Sequence, residues 1–182
     1  MPGLFAAGEA AGGANGANRL SGNAIPGAGR CAAAHAASRT SGWNRRSAAD
    51  AVYRIRGLAD GQRGADGAAV LLDELRELMW AEVGPFRTEA GLAGAVARLA
   101  AMRAALPYLA IAPGRAFNPT LADWFDLRAS LVAAEAVAHA ALAREESRGA
   151  HQREDFPKTD PAWARSRRVR MGRDGTLAAG FA

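Results

Sequence analysis

The sequence predicts a mainly α fold: a three-helix up-down bundle preceded by a strand–loop–helix unit. Three observations carry this. From Asp66 onward, apolar residues recur at helical spacing in three consecutive blocks. Each block is bounded by capping or helix-breaking residues. Near the N-terminus the pattern is different, a short apolar run that passes into a glycine-rich polar loop, as a buried strand does when it enters a turn.

The first block is "DGAAVLLDELRELMWAEVG". Leu71, Leu75, Leu78 and Met79 share one helical face, and Gly84 with Pro85 stops the helix. Thr88 is placed to cap the second, "TEAGLAGAVARLAAMRAAL". Its buried stripe is predicted as Leu92, Val96, Leu99, Met102 and Leu106, and Pro107 ends it. Asn118 is an N-cap for the third, with Pro119 at the first helical position. This helix reads as the longest, from Pro119 to Glu146, with Leu121, Trp124, Leu127 (or Arg128), Leu131, Val137 and Leu142 on its apolar side. Short connections make the three helices antiparallel neighbours.

Four segments are predicted in chain order: 1–39, the strand–loop–helix unit; 40–65, a linker; 66–163, the helical domain; and 164–182, a basic tail. The linker has no sustained period and is expected to hold one short element around "AVYRIRGL". In the tail, "DG" between Val169–Met171 and Thr176–Ala178 suggests a weak hairpin. In the first segment, Ser21 or Asn23 is a candidate cap for a helix with Pro26 in its first turn.

Composition narrows the function classes. The chain of 182 residues carries a net charge of +5. Lys158 is the only lysine, so the basic balance is almost wholly arginine, and no nucleic-acid-binding motif accompanies it. A nucleic-acid partner is therefore not expected. Cys31 is the only cysteine, which leaves no intrachain disulfide and no multi-thiolate zinc site. His35, His139 and His151 are scattered, and no metal site is predicted from them. No run reaches the roughly 18 apolar residues of a membrane span, and no secretory leader is evident. Direct membrane insertion is not expected, and a cytoplasmic location is.

The opening loop, "GLFAAGEAAGGANGANRLSGNAI", carries candidate chemistry. Glycines let backbone approach a ligand closely, and the helix N-terminus beyond them offers N–H groups and a positive dipole end. Arg19 can clamp a carboxylate with two parallel hydrogen bonds. Glu9 can accept from sugar hydroxyls. Further along, "SRGAHQRED" gathers Arg148, His151, Arg153 and Asp155, readable as an acid–base cluster or as a set of ion pairs.

The loop also resembles a segment of the FAD-dependent succinate dehydrogenase/fumarate reductase flavoproteins, which have L-aspartate oxidase as a relative. Their usual form is "GL(Y/F)AAGE" followed by "HGANRLGGNSL". Two further stretches are similar to the same family: "LRELMWAEVGPFRTEAGL", to the first two helices of its C-terminal domain, and "FNPTLADWFDLRASLVAAEAVAHAALAREESRGAHQREDFPKTD", to its long helix and the segment after it. The three occur in the family's order over most of residues 3–163.

The resemblance implies that residues 1–39 are a remnant of an α/β FAD-binding domain and 66–163 a flavoprotein C-terminal domain. It implies Glu9 at the FAD hydroxyls and Arg19 on a carboxylate of a dicarboxylate substrate. It implies Asn23, Ala24 and Ile25 at the cofactor, the backbone N–H groups of the last two facing the flavin's pyrimidine edge. The implied reaction is hydride transfer between flavin and dicarboxylate. For "SRGAHQRED" it implies ion pairs that pack the helical domain on the flavin domain. Asn15 stands where the family motif has His, and "NAIPGAGR" is shorter than the family's run. The family's phosphate-binding turn, FAD-binding core and capping domain have no counterpart in these residues, so the chain alone is expected to be inactive. Implied partners are a separate flavin-domain chain or an iron–sulfur subunit, with peripheral attachment at the inner membrane face through them. The alternatives are a non-enzymatic helical protein-interaction module or one half of a split flavoenzyme.

Overall fold

The computed structural model describes residues 45–62, 64, 66–114, 116–165, 167–172 and 175–181. The chain divides into two compact units, Met1–Asp50 and Ala51–Ala182. Of the first, only residues 45–50 are described.

Helix α1 runs Arg45–Ala59. Its alanines and arginines are strong helix formers, so it is longer than the short element expected inside the linker. Ala48, Ala51, Val52, Ile55, Leu58 and Ala59 also keep helical spacing, and Ala51, Ile55 and Leu58 line a cleft together with Trp124 and Phe125, while Tyr53 on the other side is 81 % exposed. Gly61 ends it at φ +94, and a Cβ there would press on Pro113 at 3.1 Å. Beyond it, Gln62 forms a two-bond bridge with Ile111, and its side-chain amide donates to the carbonyls of Pro107 and Leu109.

Helices α2 (Ala68–Glu82), α3 (Glu89–Ala105) and α4 (Pro119–Leu142) pack on one another pairwise. Leu75, Leu92, Ala95, Leu99, Met102, Leu127 and Leu131 form the centre of one core, with Leu71, Leu78, Met79, Val96 and Trp124 packed around it. The indole of Trp124 donates to the Leu106 carbonyl, which satisfies its one polar atom.

Both expected caps are in place. Thr88 Oγ1 accepts from the Gly91 N–H at 3.1 Å. Asn118 Oδ1 accepts from the Leu121 N–H at 3.0 Å, while its Nδ2 donates to the carbonyls of Ala112 and Gly114. The asymmetry gives a prediction. Thr88→Ala removes one cap bond and should cost about 1 kcal/mol. Asn118→Ala also strips two loop bonds and should cost about 2 kcal/mol. Urea unfolding of the two variants checks the order, and equal costs would contradict it.

Helix α4 departs from expectation twice. Its buried stripe is Leu127, Leu131, Ala134, Ala138 and Ala141, and Val137 is 47 % exposed. The spacing of four and three residues continues through alanines, which a reading weighted by side-chain size passes over. The helix also ends at Leu142, four residues before Glu146.

Two small sheets complete the unit. Strand β1 (Phe86–Arg87) pairs in parallel with β2 (Gln152–Arg153), Phe86 opposite Gln152 and Arg87 opposite Arg153. Strands β3 (Arg167–Met171) and β4 (Leu177–Phe181) form the hairpin, longer than predicted, and it lies against α4. Gly172 and Gly175 close its turn, Gly175 at φ +81.

Candidate functional site

The charge-rich stretch after α4 folds back over the helix ends. Arg153 is 2 % exposed. Its Nη1 donates to the carbonyls of Ala141, Leu142 and Arg144, at and just beyond the end of α4, where carbonyls lack the next helical turn. The same guanidinium meets Asp155 through two parallel bonds, Nε to Oδ1 at 2.7 Å and Nη2 to Oδ2 at 2.6 Å. Asp155 Oδ2 accepts in turn from the Glu89 N–H, in the first turn of α3. A cation thus sits at the negative end of α4 and an anion at the positive end of α3, each where the helix dipole favours it. The Arg153 hydrogen bonds hold the Asp155 carboxyl down at about 2.

Glu146 is the second centre. It is 0 % exposed. Arg148 donates to both of its oxygens, at 2.9 and 3.1 Å, Arg144 donates to Oε1, and the Asp160 N–H donates to Oε2 at 2.9 Å. The Arg148 hydrogen bond leads the causes that bring its carboxyl to about 2, against the opposing effect of burial. Arg144 also donates to the carbonyls of Trp163 and Arg165, and its guanidinium lies 5.7 Å from the Trp163 ring centre. Ser147 donates to the carbonyls of Arg153 and Phe156 and accepts from the Arg153 N–H.

His151 lies between these centres. Arg87 Nη1 donates to its Nδ1, and its Nε2 is 3.3 Å from the Arg144 carbonyl oxygen. Both ring nitrogens are therefore engaged, and neither is offered to a substrate. Burial is the largest cause that pushes its imidazole below the ordinary value.

The structure favours the ion-pair reading of "SRGAHQRED": Arg148 pairs with Glu146 and Arg153 with Asp155, while His151 is held by hydrogen bonds. The pairs close within the helical unit. Arg87, Arg144 and Glu146 belong to the same network and are absent from the candidates read in sequence. One signal points to Glu146: acidic residues at the C-terminal end of a helix oppose its dipole, so "REES" argues for an earlier helix end.

A separate cleft of about 500 Å³ lies between α3, α4 and the hairpin turn. Val96, Ala100 and His139 line it together with the ion pair of Arg103 and Glu135, 2.8 Å apart. Arg103 also donates to the Gly175 carbonyl, so the pair ties the hairpin to the bundle. Among the described residues no group of three or more His, Cys, Asp or Glu could hold a metal ion, and no helix is long and apolar enough to cross a membrane. The residues assigned to cofactor and substrate, Glu9, Arg19, Asn23, Ala24 and Ile25, lie outside the described residues.

Comparison with known proteins adds the family. Residues 72–176 match the family model described as "Fumarate reductase flavoprotein C-term". A fumarate reductase (CoM/CoB) subunit of Methanothermobacter marburgensis is 39 % identical over 170 residues, which is 90 % of this chain and 31 % of that one. An L-aspartate oxidase of Mycobacterium leprae is 35 % identical over 185 residues, 97 % of this chain and 30 % of its own. Among solved structures, the Sdh1 complex of Mycobacterium smegmatis in its apo form matches with a TM-score of 0.80 and 33 % identity, over 99 % of this chain and 32 % of the matched one. The chain spans about a third of the length of these relatives.

Proposed function

The chain belongs to the fumarate reductase flavoprotein C-terminal family, and from this we propose that it serves as the C-terminal portion of an FAD-dependent oxidoreductase acting on a dicarboxylate. The observation that carries the proposal is the family match over residues 72–176, more than half of the chain. Relatives named for fumarate and for L-aspartate both act, by those names, on four-carbon dicarboxylates. That chemistry suits a guanidinium fork, the role that falls to Arg19.

Bound FAD would supply the hydride donor or acceptor. The described residues offer it no cradle, since the buried charges of Glu146 and Arg153 are taken up by neighbours within the helical unit. The cofactor contacts are accordingly proposed for Glu9, Asn23, Ala24 and Ile25, with the remaining contacts supplied by the parts of the flavoprotein that these residues do not include. The helical unit, with its packed core, supports that assembly. Neighbours described as a complex favour further subunits in it.

The test is complementation. The unaltered chain, titrated with FAD, should take up no stoichiometric flavin and should show no succinate or fumarate turnover. Co-expression with the N-terminal two-thirds of a family flavoprotein should restore both the flavin spectrum and turnover. Arg19→Gln should then keep the spectrum and lose turnover. One-to-one FAD binding with turnover by the chain alone would overturn the division of labour, and restored turnover that survives Arg19→Gln would remove the arginine from its role.

A further inference from the structure

His151 is held so that only its neutral form fits. Arg87 donates to Nδ1, so that nitrogen carries a lone pair and the ring proton sits on Nε2, toward the Arg144 carbonyl. A second proton on Nδ1 would set N–H against N–H. It would also add positive charge where three guanidinium groups already face the ring: Arg87 from β1, Arg144 from the segment after α4, and Arg153 from β2. The nearby carboxylates give no relief. Asp155 is bound bidentately by Arg153, and Glu146 by Arg144 and Arg148. Arg148 brackets His151 through two backbone bonds.

Arg87 cannot swing away. Its Nε donates to the Gly84 carbonyl at 2.6 Å and its Nη2 to the Val83 carbonyl at 3.1 Å, at the C-terminal end of α2. The conflict is therefore relieved by parting the two strands that carry the pair. Those strands pair over only two residues each, with the Gln152 N–H donating to the Pro85 carbonyl and the Glu154 N–H to the Arg87 carbonyl at its two ends, each 2.9 Å.

We propose that the Arg87–His151 contact is a proton-operated latch, in which the neutral ring holds β1 on β2 and a protonated ring releases this two-residue sheet from the corner between α2 and α3. The Glu146 centre stays closed, because its carboxylate is protonated only in far stronger acid. The sign follows from linkage. The closed ring binds its proton less readily than an ordinary histidine at 6.5. The latch is therefore fully shut above that value and loosens as pH falls below it, until the closed form itself protonates.

Site-resolved hydrogen exchange on the full chain tests this. Corrected for intrinsic rate, protection of the Gln152 and Glu154 N–H groups should fall about tenfold per pH unit below 6.5. The Leu92 and Leu99 N–H groups inside α3 should not follow. His151→Gln keeps an acceptor for Arg87 and a donor for the Arg144 carbonyl but does not titrate, so its two amides should lose this slope. Flat protection in the wild-type chain, or an equal slope in His151→Gln, overturns the proposal. Ring ¹⁵N spectra of the wild-type chain provide a check that needs no variant. They should show the proton on Nε2 and a midpoint below 6.5, and a midpoint at or above 6.5 overturns the latch.

Discussion

Replacing Arg153 with alanine should lower the unfolding free energy of the helical unit by about 3 kcal/mol, one of the largest losses a single substitution can cause in this chain. Three carbonyls at and just beyond the end of α4 lose a charged donor at once, although Ala141 keeps the Arg144 N–H and Arg144 keeps the His151 ring N–H. Asp155 loses its bidentate partner but keeps the Glu89 N–H and partial access to solvent, which keeps the cost at the lower end of the range for a broken buried pair. Contact of the guanidinium with Phe156, 4.9 Å from the ring centre, goes as well. Arg153→Lys should recover part of the loss, because an ammonium can reach one acceptor group but cannot span carboxylate and carbonyls together. Urea unfolding followed by circular dichroism measures both. A cost under about 1 kcal/mol for the alanine variant would mean that the helix ends find other partners.

These residues also show where sequence reading succeeds and stops. Thr88 and Asn118 were legible as caps because a cap acts over three residues, and each bonds the N–H three positions on. Leu75, Leu92, Leu99 and Leu131 were legible because their spacing repeats the helical period. The alanine half of the α4 stripe was not, since a small side chain is buried by its register and not by its own apolar area. Helix α1 was legible only in part, as a short element around "AVYRIRGL", although Ala48, Ala51, Val52, Ile55, Leu58 and Ala59 keep helical spacing from near its start. The network around His151 is illegible in principle: Arg87 and His151 are 64 positions apart, and nothing local in either neighbourhood names the other. Resemblance did reach further than local pattern. It identified the family from "LRELMWAEVGPFRTEAGL" and "ESRGAHQREDFPKTD", and in the second the structure shows Arg148 and Arg153 paired within the helical unit.

Glu146→Gln should be destabilising at neutral pH and should lose its penalty in acid. At pH 7 the carboxylate accepts from Arg148, Arg144 and the Asp160 N–H. The amide replaces one acceptor oxygen with an NH₂ group that points donors at donors, and it removes the carboxylate that Arg144 and Arg148 share. The wild-type advantage depends on ionisation. The native carboxyl titrates at about 2 and the unfolded one at the ordinary 4.5, so the unfolded chain binds the proton first as pH falls. The contribution is therefore complete above 4.5 and is lost between there and about 2, by at most about tenfold in the folded-to-unfolded ratio per pH unit. Asp155 titrates in both proteins, from 3.8 down to about 2, so both unfold more easily in acid. Their difference isolates Glu146. Melting temperatures taken at intervals from pH 7 to pH 2.5 should show the two curves apart and parallel down to about pH 5, then converging. A gap that stays constant through pH 3 would mean that Glu146 stabilises the fold by its shape and hydrogen-bond count alone, with no part played by its charge.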